Sequence, residues 1–249
     1  MIDTHIHLND NAYNDILNEI IKSANNNGIN KMIVIGCDYQ SSLKAIEIAK
    51  KYENIYAMVG LHPSEVDHET DSDLNWLKEL LLEDKVIGVG EIGIDLYWTK
   101  ENKDLQIKYF EKQLQLSLEY NLPVSIHSRD AIELTYQILS KNKYKGVIHC
   151  FSGSLEMANK FIKLGYLIGI GGVVTFKNTN LKDVVRNIPM ESIITETDGP
   201  YLAPTPFRGK MNKPEYIKLI VDEIASLKSL SVNEVEMQID KNVKKVFNI

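Results

Sequence analysis

Short apolar runs rich in β-branched residues alternate with longer stretches of helical period along the whole chain, the pattern of repeated βα units around a parallel sheet. Eight such runs predict strands at Ile2–His7, Lys31–Gly36, Ile55–Leu61, Val86–Gly90, Val124–His127, Val147–Cys150, Tyr166–Gly171 and Ser192–Thr197. Most are apolar enough to be covered on both faces, as a parallel sheet flanked by helices requires. Between them apolar positions recur at helical spacing, as at Ile16, Ile20 and Ile21, and again at Leu105, Tyr109, Leu114 and Leu118; a last helix is expected over Val232–Phe247. Eight βα units in 249 residues fit an α/β fold closed into a (β/α)8 TIM barrel. An open doubly wound sheet is the alternative, although no GxGxxG follows the first strand to support dinucleotide binding. No low-complexity linker breaks the alternation, so residues 1–249 are expected to form one domain.

Composition narrows the functional classes. With 28 Lys and Arg against 34 Asp and Glu, the formal charge is −6, which excludes nucleic-acid binding through bulk positive charge. Any anionic substrate must then meet a local positive site. No apolar run approaches the roughly 18 to 20 residues of a membrane span, and Met1-Ile2-Asp3-Thr4-His5 lacks the layout of a signal peptide; the expectation is a cytoplasmic protein with no membrane partner. Cys37 and Cys150 lie far apart and form no CxxC, so neither a disulfide framework nor a thiolate zinc site is suggested.

In a (β/α)8 barrel the chemistry sits at the C-terminal ends of the strands, and the unusual polar residues fall there. Side chains two apart on a strand share a face, so Asp3, His5 and His7 are expected to point together into the barrel. Taken alone, His5 and His7 fit a hydrogen-bonded core pair as well as a metal site. Further strand ends add Glu91, His127, His149 and Asp198. Imidazoles with carboxylates suit zinc, manganese, iron or nickel, and the carboxylates also admit magnesium. Six ligands exceed one ordinary site, whereas two divalent ions sharing Glu91 would account for them. Asp95 reads either as a partner of a ligand or as a loop-turn residue. His62 also follows a strand, but the ligands suffice without it, so it is assigned to a substrate phosphate or leaving group. His68, in an acidic loop, reads as solvated, and Cys150 as structural.

The motifs Asp3-Thr4-His5-Ile6-His7-Leu8, Gly90-Glu91-Ile92-Gly93-Ile94-Asp95, His127-Ser128-Arg129-Asp130-Ala131, His149-Cys150-Phe151-Ser152-Gly153 and Glu196-Thr197-Asp198-Gly199-Pro200-Tyr201-Leu202-Ala203-Pro204 resemble the TatD family of metal-dependent deoxyribonucleases over the whole chain. The resemblance implies a (β/α)8 barrel, divalent metals (Mg, Mn or Zn) and hydrolysis of DNA, with 3′-to-5′ exonuclease activity on single strands. It implies His5, His7, Glu91 and Asp198 on one metal, Glu91, His127 and His149 on a second, and His62, Arg129 and the Arg208-Gly209 segment near substrate. Ile6 and Gly199 depart from the family's frequent Cys and Ser; Gly199 removes a possible hydroxyl beside Asp198.

On this reading Glu91 bridges the metals, Asp198 takes a proton from the attacking water, and His62 steadies the leaving oxygen. Arg129, Arg208 and Lys210 add local positive charge, and Trp98, in the loop after Asp95, is a candidate platform for a base. The enzymatic rival keeps the site but attacks an amide, lactone or aminoacyl ester. The non-enzymatic rival binds metal or nucleic acid without turnover.

Overall fold

The computed structural model describes residues 1–249. Its strands are β1 (Ile2–Ile6), β2 (Lys31–Ile35), β3 (Ile55–Val59), β4 (Val86–Asp95), β5 (Val124–Arg129), β6 (Gly146–Ile148), β7 (Leu167–Ile170) and β8 (Ile193–Thr195). Each pairs in parallel with its sequence neighbour, in the unbroken order β1 to β8. That order rules out the doubly wound alternative, whose strand order reverses part-way across the sheet.

The helices are α1 (Leu17–Asn26), α2 (Tyr39–Lys51), α3 (Asn75–Leu80), α4 (Lys103–Glu119), α5 (Ile132–Leu139), α6 (Leu155–Leu164), α7 (Leu181–Asn187), α8 (Ile217–Lys228) and α9 (Val232–Phe247). Local chemistry sets several of their ends. Asp38 caps α2 and Ser231 caps α9, each in a reciprocal capping box, while Gly165 closes α6 in the left-handed conformation. Apolar stripes such as Ile20, Ile21 and Ala24 of α1 and Val235, Ile239, Val243 and Phe247 of α9 join the strands in one buried cluster.

Strand β4 runs five residues past its predicted end at Gly90. The glycines that read as a strand end are places where β5 comes close, and the ladder continues through Ile92–Ile126, Gly93–His127 and Asp95–Arg129. Glu91 therefore lies inside the strand, at an irregularity of register between Val89 and Ile92 that re-aims its side chain. Helix α4 also differs from expectation. Leu118 is exposed, and the buried face includes Gln106 and Gln113. Gln106 pairs with the backbone N–H and C=O of Asp95, both at 2.9 Å, and Gln113 does the same for Leu61 at 2.7 and 3.0 Å. These amides act as ladder partners where β3 and β4 outrun their neighbours.

The barrel closes between β8 and β1 through side chains. Thr4 Oγ1 donates to Thr195 O (2.9 Å), and Thr195 Oγ1 donates to Ile2 O (3.3 Å). Asp3, expected beside His5 and His7, turns its carboxylate into this seam. It accepts from Thr197 N (2.9 Å), Thr197 Oγ1 and His5 N (3.3 Å). Burial pushes its pKa up to about 7, with the Thr197 hydrogen bonds pulling the other way. Just beyond, Asp198 N donates to His5 O (2.9 Å) and His7 N to Gly199 O (2.8 Å), and α9 packs across both strands.

Asp3→Ala leaves these buried donors without an acceptor and should lower stability by about 2 to 3 kcal/mol. A shift in urea midpoint with unchanged m-value would register it. A change under about 0.5 kcal/mol would mean that the remaining seam hydrogen bonds and packing close the barrel without the Asp3 carboxylate.

Candidate metal centre

Five imidazoles converge on the Glu91 carboxylate from four strand ends, β1 supplying both His5 and His7. Glu91 Oε2 lies 3.4 Å from His5 Nε2 and 3.7 Å from His7 Nε2. Its Oε1 lies 2.7 Å from His127 Nδ1, 3.1 Å from His149 Nε2 and 3.6 Å from His62 Nε2. Asp198 Oδ1 completes the first group, 3.5 Å from His7 Nε2 and 3.8 Å from His5 Nε2. The six predicted ligands are thus brought together, and His62 joins them on the Oε1 side.

Most of the rings are fixed from behind, which selects the nitrogen left to face the centre. His7 Nδ1 donates to Ile35 O (3.3 Å), and His5 Nδ1 lies 3.2 Å from Ser125 Oγ. Asp95 Oδ2 holds His127 Nε2 at 3.1 Å while Oδ1 accepts from Tyr97 N, so both readings of Asp95 are realised in one side chain. Glu196 Oε1 stands 3.1 Å from His149 Nδ1 and also accepts from Cys150 N. Room for Glu196 depends on Gly169, where a Cβ would come within 2.6 Å of Glu196 Oε2. Ser125, Glu196 and the two glutamines of α4 were missed from the sequence. Only Glu196 left a signal there, standing two residues before Asp198.

The electrostatics are those of a cation site. Burial works against the charge of Glu91, but His149, His62, His5 and the hydrogen bond from His127 hold it well below the usual carboxylate range. Asp198 is lowered in the same way, burial being outweighed by His7, His149 and His5. Burial drives His62 down to about 3, and burial with the charge of His149 lowers His5. His149 is raised despite burial, by Glu91 and Glu196. The test of fit is His5 Nε2, which is buried and has no hydrogen-bond partner although two carboxylates face it. A lone pair sealed among anions suits a divalent ion, and the imidazole and carboxylate set suits zinc or a similar first-row metal.

The centre opens into a cavity of about 420 Å³ that also meets Cys37, Asp38, Glu65 and Tyr201. Of the four predicted substrate residues His62 lines it, whereas Arg129, Trp98 and Arg208 do not. Arg129 stacks on Tyr97 (3.7 Å to the ring centre) and near Trp98 (5.4 Å), and the Trp98 ring is 73% exposed. Arg208 lies over Phe176 at 4.1 Å. His68 is exposed, and burial raises the Cys150 thiol far from reactivity. At Gly199 the space that a Cβ would need is filled by the Tyr13 hydroxyl, 2.6 Å away.

The eight-stranded parallel barrel, with buried histidines and carboxylates gathered at the strand ends, is that of a metal-dependent hydrolase. The family of TatD related DNases matches residues 2–248, and the chain belongs to it. The uncharacterized metal-dependent hydrolase YabD of Bacillus subtilis is 40% identical over 253 residues, covering 100% of this chain and 99% of YabD. MJ1582 of Methanocaldococcus jannaschii, described in the same words, is 36% identical and covers 99% and 96%. The crystal structure of the TatD homologue YjjV from Escherichia coli matches with a TM-score of 0.94 at 30% identity, over 100% of this chain and 98% of that one. No helix is long and apolar enough to cross a membrane.

Because the native state alone assembles these ligands, returning Mn or Zn to chelator-treated protein at about 100 times its Kd should stabilise the fold by about 2.7 kcal/mol. The melting temperature should rise by about 5 to 10 °C. An unchanged melting temperature across the metals tried would argue against a metal site here.

Proposed function

We propose that the chain is a deoxyribonuclease that uses two divalent ions bridged by Glu91 to remove nucleotides from the 3′ end of single-stranded DNA. The observation that carries this is the division of labour at Glu91: one oxygen faces His5 and His7, and the other faces His127 and His149. Divalent ions bound there supply Lewis acidity to a phosphoryl group and lower the pKa of water. Asp198 lines the cavity and accepts the proton of the attacking water. The water oxygen joins phosphorus, the bond from phosphorus to the 3′ oxygen breaks, and that oxygen is steadied by a hydrogen bond from His62 Nε2–H while it takes up a proton from solvent.

The surroundings of His62 support a donor rather than a ligand. Ser64 meets its Nδ1 with the backbone N–H (3.1 Å) and the hydroxyl (2.7 Å). Donation from the Ser64 backbone N–H to Nδ1, with the Ser64 hydroxyl proton given to Glu65, leaves the proton of the neutral ring on Nε2, on the Glu91 side. The rest of the strand lies over Trp98, Tyr97 and Arg129, with Arg208 as a further phosphate contact. A second reading, hydrolysis of an uncharged ester or amide, is favoured by the lack of Lys and Arg in the cavity. Metal-depleted protein given Mg, Mn or Zn and offered DNA, RNA and a panel of esters separates the two. Metal-dependent release of nucleotides supports the nuclease, and ester cleavage without it supports the rival.

Two variants should part company. Glu91→Ala should lose both metal and turnover, whereas His62→Ala should keep its metal content and lose rate by about 10²-fold or more. Metal analysis beside the nuclease assay decides; loss of one ion from His62→Ala would make His62 a ligand. Trp98→Ala should weaken binding of single-stranded DNA by about tenfold with little change in melting temperature or metal content, since one stacked base contributes about 1 to 3 kcal/mol. Unchanged affinity in a fluorescence titration would remove Trp98 from the binding surface.

A further inference from the structure

The cavity beside the metal centre has a wall of the wrong sign for a polyanion. Apart from the metal-facing side chains, its acids are Asp10, Asp38 and Glu65, and no Lys or Arg lines it. These carboxylates accept from neutral donors: Asp10 from Ala12 N and the Tyr201 hydroxyl, Asp38 from Ser41 and Glu65 from Ser64. Asn9, which is 7% exposed, lines the same cavity; its Nδ2 donates to Ile35 O and Ser41 O, while Oδ1 has no partner. The wall therefore presents acceptors without a cation.

The mouth is polarised as a result. Asp10 follows β1, Asp38 follows β2 and Glu65 follows β3. Arg129, ending β5, and Arg208, after β8, sit on the other sectors, as do Tyr97 and Trp98 after β4. A strand crossing the metal centre from the cationic side passes from attraction to repulsion within a concave, partly desolvated space, where charges act over longer range than on an open surface.

We infer that the acidic sector is an end stop: it receives the terminal nucleoside of a strand and refuses any phosphate beyond the scissile one. Sugar hydroxyls and base N–H groups are neutral donors, the chemistry that carboxylates and the Asn9 oxygen accept. A further phosphate brings charge of the same sign as the wall and finds no cation there. Cutting is thereby confined to the last linkage of a strand that ends in a 3′ hydroxyl. The inference rests on the nuclease reading above and explains why such an enzyme would work from an end.

The test uses the metal-loaded protein and two variants, Asp38→Asn and Glu65→Gln, alone and combined; Asn also caps helices, so α2 keeps its start. Single-stranded oligonucleotides of one sequence ending in a 3′ hydroxyl or a 3′ phosphate are compared with circular single-stranded DNA. The native protein should cut the 3′ hydroxyl form at least about tenfold faster than the phosphate form and leave the circle intact. The double variant should narrow the ratio of cutting between the hydroxyl and phosphate forms by about tenfold and begin to nick the circle. As a binding measure, calorimetry with thymidine 5′-monophosphate and thymidine 3′,5′-bisphosphate should show at least about tenfold preference for the monophosphate, lost in the double variant.

Equal cutting of all three DNAs by the native protein would overturn the end stop and leave the nuclease standing. Discrimination that survives unchanged in the double variant would also overturn it, by removing wall charge as the cause. Failure to cut any of them would remove the nuclease reading, and the end stop with it.

Discussion

Burying the Glu91 carboxylate takes a unit charge out of water, a cost of several kcal/mol that is offset only if both oxygens face cations or donors. Much of the upper barrel follows from that requirement. Four strand ends bring the five imidazoles, and each ring has a polar group beside the nitrogen turned away. Those partners are in turn fixed. Gln106 holds the Asp95 backbone, and the missing side chain at Gly169 makes room for Glu196. Enlarging Gly169 or shortening Gln106 would be felt at a ligand neither residue touches, because the ring geometry depends on both.

The candidate ligands are legible because they repeat a simple positional rule: an apolar run ending in His, Glu or Asp on strand after strand. Their partners are not. Ser125, Glu196, Gln106 and Gln113 find their places through the three-dimensional closure of the sheet, and nothing periodic in the chain announces which polar residue will meet which ring. Gln106 and Gln113 also sit where a helical pattern assigns water, so the buried face of α4 was drawn too far towards Leu118. Asp3 shows the limit of strand alternation. The rule puts it with His5 and His7, but the nearest buried donors are on Thr197, and its carboxylate turns to them. Arg129 and Arg208, expected near substrate, lie on aromatic faces outside the cavity lining, a placement that no strand pattern announces.

Backbone conformation is also shaped by the centre. The chain leaves β6 and β8 through left-handed residues, Cys150 at φ 43° and Asp198 at φ 58°. For residues with a Cβ this costs on the order of 1 kcal/mol each. At Asp198 the turn lets one residue give its N–H to His5 O while its carboxylate faces His5 and His7. A candidate ligand, a strand contact and a chain reversal share one position.

The seam between the first and last strands has a consequence in time. Asp3 and Thr197 are 194 positions apart, so at about 5 to 20 residues per second the ribosome needs about 10 to 40 seconds between making one and making the other. Throughout that interval His5 and His7 are exposed on a strand with no closing neighbour, and the carboxylate that faces them from β8 does not yet exist. Barrel closure and completion of the His5, His7 and Asp198 cluster are therefore one event, reached only when synthesis has passed the last strand. A cation held between those residues would mark a finished chain, and a nascent or truncated one would lack the means to keep it.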